Sequence, residues 1–167
     1  STLRGNLAAG NVDFIELFQF GILHTDDWYE LLNAGFAVTG LAGSDFPVPL
    51  NRATEWPRAI PPLGPERALV KAAPGASAYQ SWAGGVKRGA VLLSNGPLLE
   101  FQVNGLEAGT KHNWGGAELK LRGSAEAWFH REVEKIELIV NGEVEAYAGR
   151  TGRDQERLEF THALRES

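Results

Sequence analysis

Apolar residues recur with two different periods along this chain, and the first third reads as a strand, a helix and a second strand. The run VDFIELFQF is rich in β-branched and aromatic residues, which favour a buried strand. In HTDDWYELLNAGF, Thr25 or Asp26 can cap a helix and Gly35 can end it. One face of that helix is apolar and comprises Trp28, Leu31 and Leu32. FAVTGLAG is almost wholly apolar, as is typical of a covered parallel strand, so the pattern predicts two parallel strands joined by a helix.

Prolines interrupt the chain next. All but one of the eight prolines lie between residues 47 and 74, which predicts a long ordered loop or a boundary between two regions. A short amphipathic helix is predicted from Ser77 to Arg88, although two adjacent glycines lower its helix propensity. We therefore expect an α/β segment over residues 1–75 and a second domain over residues 76–167.

From Ala90 onward the apolar period changes to two. Strands are predicted in LLEFQVNG, AELKLRG, EKIELIVNGEVEAYAG and ERLEFTH. In the third of these, Asn141-Gly142 supplies the two-residue turn with positive φ that a tight hairpin needs. The apolar positions that alternate with polar ones are Leu99, Phe101, Val103, Leu119, Leu121, Ile136, Leu138, Val140, Val144, Ala146 and Ala148. Short strands with one polar face predict an antiparallel β-sandwich, so the fold class expected for the whole chain is α+β.

Composition narrows the possible functions. The 167 residues carry a net charge of −5 with scattered Lys and Arg, which argues against a nucleic-acid surface. No apolar run approaches the roughly 20 residues of a membrane helix, so no membrane partner is expected. Cysteine is absent, which removes disulfides, thiolate nucleophiles and Cys-based zinc sites and leaves the cellular compartment open. Methionine is also absent, even at position 1, and we expect the chain to be an excerpt of a longer protein.

Carboxylates at predicted strand ends are the main chemical candidates. Asp45 follows the second strand, and Glu16 lies toward the end of the first. Adjacent parallel strands bring such ends together, where two carboxylates bind a divalent cation or share acid–base work. The alternative is that Asp45 caps a turn through its own backbone. His24, just ahead of the helix, is a further candidate whose simpler interpretation is a loop role.

Trp114, in KHNWGGAE, is a candidate for binding rather than catalysis. A tryptophan flanked by glycines on a sandwich loop can stack on a sugar or an aromatic ligand. It can equally fold back onto the edge of the sandwich. A carbohydrate or other small-molecule ligand is therefore one possible partner.

Three strings taken in order resemble a known family. LLNAGF, GSD and SNGPLLEFQVNG look like the last barrel strands and the following segment of PHP-type (polymerase and histidinol phosphatase) metal-dependent hydrolases, in particular the carbaryl-hydrolase-like subgroup. The resemblance runs from about residue 12 to residue 148. It implies a distorted α/β barrel that binds divalent ions, zinc or manganese, and hydrolyses phosphate or other esters.

The family's metal ligands carry over at one position only. In its final D-x-H motif Asp45 is present, but Pro47 stands where the histidine would be. The four histidines of this chain form no H-x-H or H-E-x-x-H motif. We therefore expect a C-terminal fragment of a PHP-like hydrolase that is catalytically silent on its own, because one carboxylate without imidazoles positions no water.

Two further expectations follow from this architecture. The sandwich is alternatively a binding module, for carbohydrate or for a protein partner, with the α/β piece as its scaffold. An incomplete barrel also leaves strand edges unpaired, which predicts self-association through exposed sheet edges.

Overall fold

The protein is described here by a computed structural model that covers residues 2–44, 64–111, 113, 115–116, 118–126, 133–149 and 157–164. The helices in this part of the chain are α1 (Thr2–Ala8), α2 (Asp26–Asn33) and α3 (Ala78–Arg88). The strands are β1 (Phe14–Gln19), β2 (Ile22–Leu23), β3 (Thr39–Ala42), β4 (Arg67–Leu69), β5 (Leu92–Ser94), β6 (Leu98–Val103), β7 (Leu106–Glu107), β8 (Leu119–Glu126), β9 (Lys135–Val140), β10 (Glu143–Gly149) and β11 (Arg157–Leu164). Helices combined with several antiparallel sheets make the fold α+β, as the sequence predicts. None of the described helices is long and apolar enough to span a membrane.

The N-terminal sheet has the strand order β2-β1-β3. β1 and β3 are parallel, with Phe14 opposite Thr39, and α2 connects them, which confirms the predicted strand–helix–strand unit. β2 is an addition that the apolar pattern does not predict. It returns antiparallel along β1 after a two-residue turn at Phe20 and Gly21, which have φ of 53° and 71°.

Helix α2 lies at the predicted place, and two of its details refine the prediction. Thr25 occupies the N-cap position, but its side chain makes no capping hydrogen bond, because its backbone is helical rather than extended. Leu31 is buried, whereas Leu32 is 37% exposed and only partly shares the apolar face. Trp28 is held by a hydrogen bond of 2.8 Å from its Nε1 to the carbonyl oxygen of Val38, at the entrance to β3.

Helix α3 lies where the sequence predicts it. Ser77 and Gln80 form a reciprocal capping box, and Gly89 ends the helix with φ of 73°. The two interior glycines differ in surroundings, since Gly85 packs against Val70 while Gly84 does not. The lack of a side chain at Gly85 lets the segment after β4 approach the helix closely.

A small sheet crosses the predicted domain boundary. β4 lies before residue 75 and β5 after it, and the two strands pair antiparallel with Arg67 opposite Ser94. The hydroxyl of Thr39 in β3 also donates to the carbonyl oxygen of Val86 in α3, over 2.7 Å and out of contact with solvent. The described part of residues 1–75 therefore packs directly on the start of the region that follows. The boundary at 75 stays a prediction.

The C-terminal half contains a four-stranded antiparallel sheet of order β11-β8-β6-β7 and a separate hairpin of β9 and β10. The hairpin turn at Asn141 and Gly142 has φ of 53° and 90°, which confirms the predicted turn. A small core joins the sheet to the hairpin and consists of Ala125, Val133, Leu158 and Ile136.

The alternating pattern overestimates burial in this half. Leu99 and Phe101 in β6 are 47% and 40% exposed, and Val144 in β10 is 54% exposed. Val144 leaves the apolar face because the register of β10 shifts between Val144 and Ala146. Leu121 and Leu138 are buried, as the pattern predicts.

Candidate functional site

The carboxyl ends of β1 and β3 meet at one edge of the N-terminal sheet. The register runs from Phe14 opposite Thr39 to Phe18 opposite Ala42, with a shift between Glu16 and Phe18. The pairing continues past β3, because the N–H of Gly43 donates to the carbonyl oxygen of Phe18 over 3.0 Å. Groups from two separate stretches of sequence are therefore brought to the same edge.

Glu16 reaches this edge and lies against Gly43. A Cβ placed on Gly43 would be 2.5 Å from Oε1 of Glu16, so the carboxylate occupies space that a side chain at position 43 would take. The residue as a whole remains exposed. Glu16 is thus next to the GSD string of the resemblance. Asp45, the last residue of that string, lies outside the described residues, and its role stays a prediction.

His24 does not join Glu16 through any described hydrogen bond or ion pair. Its backbone N–H donates to the carbonyl oxygen of Leu17 over 2.7 Å, and its side chain is exposed. In the described residues its contribution is this backbone bond, which extends the β1–β2 pairing by one residue. Trp114 lies outside the described residues, and its stacking role stays a prediction.

A buried carboxylate near the same sheet was not predicted. Glu66 is only 8% exposed, and its Oε1 accepts a hydrogen bond of 2.6 Å from the N–H of Gly21 in the β1–β2 turn. Its position between Pro65 and Arg67 gives no local signal, because its partner is 45 residues away in sequence. The bond fixes the hairpin tip to the start of β4.

The second candidate surface is the polar face of the four-stranded sheet. Its six side chains alternate with the apolar ones on three neighbouring strands and are Glu100, Gln102, Arg122, Ser124, Glu159 and Thr161. They line a shallow concavity of about 550 Å³, within the size range of ligand sites. Ser124, at its centre, lies between Glu100 on one strand and Glu159 on the other. Hydrogen-bond donors and acceptors are therefore intermixed on this face.

Charge pairs in the described residues lie away from the carboxyl edge of β1 and β3. The hydrogen bond of 2.5 Å from Lys71 to Glu107, together with the attraction between their charges, raises the pKa of Lys71. A hydrogen bond to Glu137 raises the pKa of Lys135 in the same way. All four side chains are well exposed, so these pairs contribute little to stability.

Metal-binding chemistry requires several donors at one place. Within the described ranges, no group of three or more His, Asp or Glu side chains is positioned to share an ion. Glu16 is the carboxylate that the described residues bring to the carboxyl edge. Comparison with known proteins adds no assignment, since no family model, no curated protein and no solved structure matches this chain.

Proposed function

We propose that this chain is the C-terminal part of a PHP-type metal-dependent hydrolase and is catalytically silent by itself. The observation that supports this most is the parallel β1–β3 pair with the carboxylate of Glu16 against Gly43. Parallel strands in α/β barrels deliver their catalytic groups at this edge. Of the strings that carry the resemblance, LLNAGF begins within α2, and GSD begins directly after β3.

The described residues do not by themselves fit a resident divalent ion. Glu16 offers one carboxylate, and a stable site needs three or more protein donors or a substrate that completes the shell. Asp45 would add a second carboxylate from a neighbouring position, whereas Pro47 offers no donor where the family has an imidazole. Two carboxylates of this kind hold an ion only weakly, which is the physical reason for proposing a silent chain.

One experiment tests metal binding at the carboxyl edge of β1 and β3 and, in parallel, hydrolytic activity. Manganese is titrated into the labelled chain while NMR records the paramagnetic broadening of each amide, and hydrolysis of nitrophenyl phosphate mono- and diesters is followed in parallel. We expect broadening centred on Gly43 and Ser44, reduced in Glu16→Gln and in Asp45→Asn, and no turnover above that of the metal alone. Glu100→Gln, an exposed carboxylate on the other sheet, is the matched control and should leave the broadening unchanged.

The proposed lack of activity and the proposed family origin can each be contradicted independently of the other. Metal-dependent turnover that disappears in Asp45→Asn would show that the chain is active and contradict its silence. Broadening of amides near many surface carboxylates, with no preference for Gly43, would show that the carboxyl edge of β1 and β3 does not favour metal binding. That result would contradict the proposed origin in a metal-dependent hydrolase.

A binding module for neutral oligosaccharides is the second candidate function. The observation that favours it is the concave face of β6, β8 and β11, where Arg122 and Gln102 face each other across neighbouring strands. Guanidinium, amide and hydroxyl groups together match the vicinal hydroxyls of a sugar, each of which both donates and accepts. Calorimetric titration with soluble neutral oligosaccharides tests this function. Binding should be lost in Arg122→Ala and kept in Lys87→Ala on α3, and no heat with any of them would remove the candidate.

A further inference from the structure

Among the edge strands in the described part of the chain, β2 is exposed and uncharged. Ile22 and Leu23, its two residues, are 55% and 54% exposed. On the other side of the same sheet, β3 is mostly buried. Several other edges carry charges, such as Glu107 in β7 and Glu143 in β10, and the uncharged edge strand β5 is partly or fully buried. Natural proteins protect exposed edges with charge, with cover or by keeping the strand very short. β2 is short, but it carries no charge, and no strand of the described residues pairs with its outer side.

The backbone of β2 offers one open pairing position. Gln19 and Ile22 flank the two-residue turn as a hydrogen-bonded pair, and His24 bonds the carbonyl oxygen of Leu17. In an antiparallel pair hydrogen-bonded and non-bonded positions alternate, so Leu23, between these two, directs its N–H and C=O away from β1. The N–H can donate to a further strand, and the C=O can accept from it.

The hairpin that presents this edge is held in place. Phe20 adopts φ of 53°, which is unfavourable for a bulky residue, and the next N–H, from Gly21, is bonded to the buried Glu66. The hydrogen bond to Glu66 therefore holds the turn in this conformation in the isolated chain. A fixed edge loses little conformational entropy on association.

The apolar surface around β2 is large enough for an interface between two copies. Phe20, Ile22 and Leu23 are each about half exposed. A side chain of this size has roughly 200 Å² of surface, so together they expose roughly 300 Å² per copy. Apolar atoms form about 60% of an interface, so two copies would bury roughly 1,000 Å² in all. That is about the smallest area expected of a specific interface, which fits a dimer that dissociates on dilution.

We propose that two copies of this chain associate by antiparallel pairing of β2 with β2, with Leu23 on the two-fold axis. One residue facing its own copy exchanges both of its hydrogen bonds at once, which is the self-complementary geometry of an isologous dimer. The pairing joins two three-stranded sheets into one of six strands and covers Ile22, Leu23 and Phe20 on both copies. It is independent of the proposed hydrolase ancestry.

Sedimentation velocity over a range of micromolar to near-millimolar loading tests the proposal with the whole chain. We expect a reversible dimer that dissociates on dilution. Leu23→Lys should weaken it by about tenfold or more, because two ammonium groups would meet on the axis. Leu32→Lys is the matched control, since Leu32 is 37% exposed but lies on helix α2 rather than on a strand edge. Far-ultraviolet circular dichroism checks that both variants remain folded.

Cross-linking supplies a second measurement that does not depend on a disruptive variant. The chain contains no cysteine, so Leu23→Cys carries a single thiol, and a short bis-maleimide should join two copies of it. Leu32→Cys should give little cross-linked product. A monomer at all concentrations, or a dimer that Leu23→Lys leaves unchanged and Leu23→Cys does not cross-link, would overturn the proposal.

Discussion

The side-chain amide of Asn33 donates a hydrogen bond of 2.9 Å to the backbone oxygen of Asn141, a residue 108 positions later in the chain. Asn33 ends helix α2, and Asn141 begins the turn of the β9–β10 hairpin. The next residue, Gly142, lies against Tyr29 of the same helix. The hairpin tip therefore sits on the N-terminal strand–helix–strand unit, and the two halves of the chain share an interface at this point.

Gly142→Ala tests that contact. Gly142 has φ of 90°, and a Cβ there would lie 3.3 Å from Cβ of Tyr29. Backbone strain alone costs about 1–2 kcal/mol for a left-handed residue, and the crowding of Tyr29 adds to it. We expect a loss of about 2–3 kcal/mol in the free energy of unfolding, measured by urea titration.

Gly105→Ala is the matched control for this prediction. Gly105 also follows an asparagine in a hairpin turn, with φ of 79°, but a Cβ there would meet nothing within 4 Å. The two substitutions share the backbone strain and differ in the contact with Tyr29. Equal losses of stability would show that the hairpin tip does not press on α2.

The two neighbouring glycines of α3 should respond in opposite directions to alanine. A Cβ on Gly85 would collide with the side chain of Val70, so Gly85→Ala should destabilise by about 1–3 kcal/mol. A Cβ on Gly84 would meet only the flexible end of Arg88, at 3.2 Å, so Gly84→Ala should stabilise by up to about 1 kcal/mol through helix propensity. Thermal melting of the two variants compares them directly, and a gain in melting temperature for Gly85→Ala would contradict the packing described.

The N-cap residues of α2 and α3 allow a direct comparison, because Ser77 makes a side-chain capping bond and Thr25 does not. Ser77 accepts a hydrogen bond of 3.2 Å from the N–H of Gln80, and Ser77→Ala should cost about 1 kcal/mol. Thr25 occupies the same position in α2 without a side-chain bond, so Thr25→Ala should change stability by less than about 0.5 kcal/mol. Denaturant titration of both variants measures the difference, and similar losses would mean that Thr25 caps α2 after all.

Removal of the Glu66 carboxylate should loosen the β1–β2 hairpin. Glu66→Ala leaves the N–H of Gly21 without its acceptor in a partly buried place, at a cost of about 1–3 kcal/mol. Glu66→Gln keeps an oxygen acceptor at the same distance along the side chain and should cost less. Hydrogen exchange of the Gly21 amide reports the bond itself. It should accelerate most in Glu66→Ala, and protection unchanged in that variant would show that the bond is dispensable.

Local patterns were sufficient for much of the secondary structure. The apolar runs around β1 and β3, the amphipathic pattern of α3 and the Asn141-Gly142 turn each depend on residues within a few positions of one another. Each is present where it was predicted. The α+β class follows from the same signals, because apolar periodicity changes with the type of element.

Contacts between distant segments could not be read in this way. Strand β2 escaped prediction because Phe20 and Gly21 are not a usual turn pair, and the turn is held by Glu66 from 45 residues away. Alternation in β6 predicted an apolar face but not how much of it is covered, and Leu99 remains 47% exposed. The placement of Glu16 against Gly43 likewise required the register of two strands that a helix separates.

The sequence by itself determined the elements whose free energy comes from neighbours along the chain: caps, turns and amphipathic periods. Only the tertiary structure decided that the hairpin tip at Gly142 rests on Tyr29, that Glu66 anchors the β1–β2 turn, and that β2 is an open edge. Those features depend on distances between segments tens of residues apart. Such distances are set by the packing of the whole chain and leave no local signature in the order of its residues.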